Sequence, residues 1–214
     1  MIKPFLTYQQ QIQKLVDEKR LIVNNVIFVM EKLQELGYFT LIGGYKNPFR
    51  DPMTRVYIGN TTFEDVYTLY QFDDHLRELI FKYLCQIEKR MRSSISYAFC
   101  EQYLKVLVLY RNVCALNERL FSHKVYSEIP DTVLHQKLGI TKNGTQYIYG
   151  KKDLFSVVIS FRYFLPKEEF EIFKCELAKQ IEKYLKQSHR ISESRLLENM
   201  GFPQNWKMMT RYKV

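Results

Sequence analysis

A length of 214 residues, with 46% apolar and 26% charged side chains, is enough for one sizeable core or two small ones and excludes a disordered chain. The longest apolar runs, such as Val106-Leu107-Val108-Leu109, fall far short of the ~20 residues a membrane-spanning helix needs, and residues 8–13 are mostly polar where a signal peptide would have its apolar segment. A cytoplasmic protein with no membrane partner is expected, and its net charge of +9 favours an anionic partner, of which nucleic acid is the commonest.

Thr7 is placed to cap a first helix over residues 8–17, with Ile12 and Leu15 on one face. Asn24 or Asn25 caps a second, which carries Val26, Val29, Met30 and Leu33 and ends at Gly37. Over residues 38–58, Gly43-Gly44, Pro48 and Asp51-Pro52 leave little helical period, which predicts a loop or short hairpin. Thr61 and Glu64 have capping-box spacing, and Val66, Leu69, Phe72, Leu76, Leu79, Ile80, Tyr83, Leu84, Ile87 and Met91 then keep the period of the strongest helix in the chain. No Gly or Pro follows until Pro130, so the pattern read literally continues through Tyr103 and Leu104 as one helix, far longer than the ~11–12 residues usual in compact domains.

Beyond Pro130 the character changes. Asn143-Gly144, ahead of the Tyr147-Ile148-Tyr149 run, predicts a two-residue hairpin in which Asn-Gly takes the positive φ angles of a type I′ turn. Asp153 caps a helix through Phe164, and Pro166 opens another with Phe170, Phe173, Leu177, Ile181 and Leu185 on one stripe. Ser192 starts a short last helix over residues 195–200, stopped by Gly201. The fold class is therefore mainly α, with a small N-terminal helical and loop region over residues 1–60, a helical core over 61–123, and a hairpin with helices over 124–214. Cys85, Cys100, Cys114 and Cys175 have no Cys-x-x-Cys spacing and no histidine at ligand spacing, so they read as buried, reduced thiols, with no metal, disulfide or cofactor implied.

The most informative stretch is Arg111-Asn112-Val113-Cys114-Ala115-Leu116-Asn117-Glu118-Arg119-Leu120. An isolated Arg-Asn pair ordinarily makes salt bridges or helix hydrogen bonds. Four further blocks stand in order before it: Lys3-Pro4-Phe5-Leu6-Thr7-Tyr8-Gln9-Gln10-Gln11-Ile12; Leu41-Ile42-Gly43-Gly44-Tyr45-Lys46-Asn47-Pro48-Phe49; Gly59-Asn60-Thr61-Thr62-Phe63-Glu64-Asp65-Val66 running into Leu69-Tyr70-Gln71-Phe72-Asp73; and Gln86-Ile87-Glu88-Lys89-Arg90-Met91-Arg92. Together the five blocks resemble the Abi-like abortive-infection proteins of the AbiD/AbiF type, within the HEPN ribonucleases. The family signature reads Arg-Asn-x-Cys-Ala-His followed shortly by Arg-Leu, and here Leu116 stands where the histidine is expected. The resemblance also juxtaposes two distant family blocks at Tyr103 and Leu104, with the intervening helices missing.

The resemblance implies a HEPN-like helical bundle and an RNA-directed toxin of antiphage defence, held in check by a structured noncoding RNA and acting on a target RNA. RNA cleavage without a metal needs a base for the 2′-OH, a cation for the phosphate and an acid for the leaving oxygen. Arg111 is implied in phosphate binding, Asn112 in orienting the site, and position 116 in acid-base work. Residues 111 and 116 lie roughly 140° apart around a helix, which suits a cleft between helices, and the family pools two such motifs in a homodimer. Leu116 has no proton to give or take, so an inactive chain is expected.

For RNA contact, the candidates are Lys89, Arg90 and Arg92, Arg119 in the motif, and the acid-free tail of Trp206, Lys207, Arg211, Tyr212 and Lys213. Most of the 16 Tyr and 15 Phe rings read as core. His123 reads as a solvated helix-end residue, and His75, His135 and His189 as surface or satisfied imidazoles. A non-catalytic module that holds a structured RNA is the alternative. A DNA-binding regulator fits less well, because the helices over residues 7–36 lack a basic recognition face.

Overall fold

The computed structural model describes residues 6–92 and 97–213. The chain is mainly helical, with one small antiparallel hairpin, as a helical bundle requires. It forms two compact units, Met1–Phe72 with Tyr184–Ile191, and Asp73–Lys183 with Ser192–Val214.

In the first unit, α1 (Tyr8–Asp17) opens with a full capping box, in which Thr7 Oγ1 accepts from the Gln10 N–H and Gln10 Oε1 accepts from the Thr7 N–H. Asn25 caps α2 (Val26–Leu36) through the Phe28 N–H, and Gly37 at φ 78 ends it. Ile12, Leu15, Val29 and Leu33 bury the facing stripes of the two helices. Residues 38–58 form a single π turn at Phe39–Gly43 and a 3₁₀ turn at Asn47–Phe49, followed by a bridge between Arg50 and Tyr57. Buried Leu41, Ile42, Tyr45 and Phe49 hold these turns to the core.

The cap of α3 (Phe63–Arg92) lies one residue beyond the expected Thr61 and Glu64. Thr62 Oγ1 accepts from the Asp65 N–H at 3.2 Å, and Asp65 Oδ2 accepts from the Thr62 N–H at 2.9 Å. Thr61 is buried and gives its hydroxyl to the Ile58 carbonyl instead. Thr62→Ala is therefore expected to cost ~1 kcal/mol in urea denaturation, while Glu64→Ala stays within ~0.5 kcal/mol. A helix is described on either side of residues 93–96, and the expected continuation of one helix through those four lies outside the described residues. The second, α4 (Tyr97–Ala115), passes through Tyr103 and Leu104 without a break.

The second unit is organised around α6 (Leu154–Phe164), in which every residue from Leu154 to Phe161 is buried. Ser156 and Ser160 tolerate this because their hydroxyls donate to the carbonyls of Asp153 and Ser156. Tyr83, Phe161, Phe170 and Phe173 form one aromatic cluster between α3, α6 and α7 (Lys167–Gln187). Between α5 (Val133–Lys137) and α6, strands β1 (Lys142–Asn143) and β2 (Gln146–Tyr147) pair Asn143 with Gln146. The turn is thus Gly144-Thr145 with φ 63 at Gly144, the glycine-first pattern of a II′ turn and not the expected Asn-Gly I′ turn. Ser192 caps α8 (Glu193–Met200), which Gly201 ends at φ 76. A β-carbon on Gly201 would lie 2.3 Å from Asp153 Cγ, so backbone angle and close approach both demand glycine. Among the described residues no helix is long and apolar enough to cross a membrane.

Candidate functional site

The last turns of α4 divide the Arg111 motif between two environments. Tyr110, Val113 and Cys114 are buried, and the Tyr110 hydroxyl lies within hydrogen-bond distance of the carbonyls of His123 at 2.9 Å and Lys152 at 3.1 Å. Burial pushes the Cys114 thiol up to about 12, so it stays protonated and is no nucleophile. Asn112 and Leu116 face outwards one helical turn apart, and Leu116 is 69% exposed. Arg111 is partly exposed beside them, its Nε 3.3 Å from Glu88 Oε1 on α3. An ion pair this open to water is worth ~0–1 kcal/mol, so an incoming phosphate can replace Glu88 at little cost.

α4 ends directly at the motif. Asn117 adopts the left-handed conformation at φ 54, its N–H donates to the Cys114 carbonyl, and the Glu118 N–H donates to the Val113 carbonyl. This is a Schellman cap with asparagine in the usual glycine place, and Leu116 is the C-cap residue. The chain beyond it is fixed by a pair of residues that sequence reasoning missed. The Asp73 carboxylate accepts from the N–H groups of Leu120 at 2.8 Å and Phe121 at 2.6 Å. Arg77 donates to Asp73 at 2.9 Å and to the Glu118 carbonyl at 3.3 Å. The signal available was the Asp-x-x-x-Arg spacing between Phe72, Leu76 and Ile80, but that spacing is ordinary for a surface ion pair.

The structure brings Arg111, Asn112 and Leu116 onto one accessible end of α4, with Arg119 just beyond it in the chain. Lys89 is exposed, Arg90 pairs with Glu169, Arg119 is half-buried, and the Arg92 side chain lies outside the described residues. The expected tail changes most. Trp206 is 1% exposed and edge-on to Phe202 at 5.3 Å, because its ring fills the core beside α8; it is therefore not a stacking platform. Lys207 lies 3.7 Å from Glu182, so the segment is not free of acidic neighbours in space. Arg211 and Lys213 remain exposed, and the half-buried Tyr212 accepts from Arg162 through its carbonyl.

His123, expected to be solvated, is half-buried against the Tyr110 ring, and that burial pushes its imidazole below the ordinary range. Cys85 and Cys175, expected to be buried, are exposed, since they fall on the outer faces of α3 and α7; the Cys100 side chain lies outside the described residues.

A second polar cluster is built into the core. His135 is fully buried, with Nδ1 accepting from the Thr132 N–H and Nε2 donating to the Gly150 carbonyl, both at 3.0 Å. This fixes one neutral tautomer, and burial holds its pKa below the ordinary value. Asp153 accepts from the N–H groups of Gly150 and Ser156, yet burial outweighs these bonds and pushes its carboxyl up to about 7. Every bond in the cluster is internal, which makes it a structural knot. Among the described residues no group of three or more His, Cys, Asp or Glu side chains is placed to hold a metal ion.

Residues 31–103 match the family model of the Abi-like proteins. The match covers about a third of the chain and likens that part to the Abi-like proteins. It spans most of α2, all of α3 and the start of α4, and stops short of Arg111. No curated protein and no solved structure matches the chain.

Proposed function

We propose that this chain is an RNA-binding, HEPN-type abortive-infection protein in which the end of α4 is the ribonuclease site, disarmed by Leu116. Arg111 holds a phosphate, Asn112 orients it, and position 116 is the seat of the acid-base residue. With leucine there, the chain binds RNA, including a regulatory noncoding RNA, without cleaving it. The observation that carries the reading is the shared exposure of Asn112 and Leu116 beside Arg111, while Val113, Cys114 and Leu120 of the motif are buried. A homodimer pooling two motifs follows from the same reading.

Leu116→His tests it. The expected result is RNA cleavage and growth arrest, rising by ~10²–10⁴ over the leucine protein and lost again on Arg111→Ala. No cleavage by the Leu116→His protein, with RNA binding retained, would leave the second reading, a non-catalytic holder of structured RNA, which Leu116 itself favours.

A further inference from the structure

Lys46, Arg50 and Arg55 surround a cavity of about 390 Å³ in the first unit, completed by Asn47, Asp51 and Pro52. Local backbone structure brings the three cations together. Lys46 and Arg50 flank the 3₁₀ turn at Asn47–Phe49. A tight loop follows, closed by the Asp51 N–H on the Val56 carbonyl and the Arg55 N–H on the Asp51 carbonyl, with Arg55 in the left-handed conformation at φ 58.

The nearest carboxylate is already engaged. Asp51 Oδ1 accepts from the N–H groups of Met53 and Thr54 and from the Thr54 hydroxyl, and these bonds hold its carboxyl below the ordinary range. Among the described residues none of the three cations makes an ion pair. Arg50 is immobilised over the Tyr57 ring at 4.6 Å, and its buried Nε has no hydrogen-bond acceptor. Burial and then the charges of Arg50 and Arg55 hold the Lys46 ammonium below its usual range.

A concave site with three cations outside any ion pair, one of them a fixed guanidinium, against the single carboxylate of Asp51 carries net positive charge and is complementary to a compact, multiply charged oxyanion. The lining has no aromatic face open for a base. We propose that this pocket is a phosphate-binding site, taking the phosphoryl group of an RNA end or of a small phosphorylated molecule. It uses none of the residues of the α4 site and does not depend on the ribonuclease reading.

The test is calorimetric titration of the full chain at low salt with inorganic phosphate, and with one oligoribonucleotide carrying either a 5′-phosphate or a 5′-hydroxyl. Phosphate binding weakened at least ten-fold by Lys46→Ala with Arg55→Ala, and retained by Lys46→Arg, is the expected result. Arg55→Gly provides a variant that removes one cation while easing the backbone at that position, so its fold is not at risk. A preference for the 5′-phosphate that disappears in the variants assigns the site to RNA ends, whereas phosphate binding without that preference assigns it to a small molecule. Absence of phosphate binding by the unmodified chain, or equal binding by folded variants, overturns the proposal.

Discussion

Arg77→Ala is expected to cost about 3–5 kcal/mol, because it strands a buried carboxylate. Asp73 is 0% and Arg77 3% exposed, and the pair holds the backbone that follows the α4 motif. Asp73→Ala should cost a similar amount, since it leaves two buried backbone N–H groups without their acceptor and takes from the guanidinium its buried carboxylate, leaving it the part-exposed Asp74 and the Glu118 carbonyl. The two losses share one interaction. The double variant should therefore fall well short of their sum in urea denaturation, and strict additivity would remove the pair from its structural role. Amide exchange gives a local readout: the Leu120 and Phe121 N–H groups should lose protection in Asp73→Ala before the rest of the second unit does.

A pH-dependent effect of comparable size is expected at Asp153. Its folded value of about 7 lies above the ordinary 3.8, so the folded protein binds this proton more tightly than the unfolded chain does. The resulting stability is present in full below pH 3.8 and is lost as pH rises through about 7, on the order of 4 kcal/mol in total. His135 acts in the opposite direction. Its folded pKa is depressed from 6.5, so it removes stability as pH falls below that value. Asparagine keeps a good N-cap for α6 and carries no charge. In Asp153→Asn, stability should rise with pH through about 6.5 as His135, and with it the likewise depressed His123, act unopposed, whereas the unmodified chain should be flat or falling there. Parallel profiles for the two proteins, measured by denaturant midpoint between pH 4.5 and 7.5, would refute the assignment.

Local signals carried much of the helical framework. Thr7, Asn25, Asp153 and Ser192 cap where side-chain chemistry placed them, because an N-cap is decided within four residues. The shifts at Thr62 and in the hairpin have a different cause. Two neighbouring threonines, or Asn beside Gly, offer nearly equal local choices, and tertiary packing selects between them. Trp206 was misread because a basic, aromatic sequence looks the same whether its ring points out or into a core. The Arg111-Asn112 element was legible as a motif, but the Asp73–Arg77 support was not, since hydrogen bonds to Leu120 and Phe121 span a sequence separation that no periodicity reports.

The termination of α4 at residue 116 also sets the electrical character of whatever side chain is placed there. The peptide dipoles of a helix sum to a partial negative charge at its C-terminal end, which favours a cation by ~0.3–1 kcal/mol. A histidine in place of Leu116 would sit at that end, and its imidazolium form would be favoured by up to about 0.7 of a pKa unit. Near neutral pH such a residue holds a proton in a larger share of molecules than a free histidine does, which suits it to donate to the leaving oxygen more than to take the proton of the 2′-OH. Cleavage by the restored site should then decline on the alkaline side, and the base would have to come from a second copy of the motif.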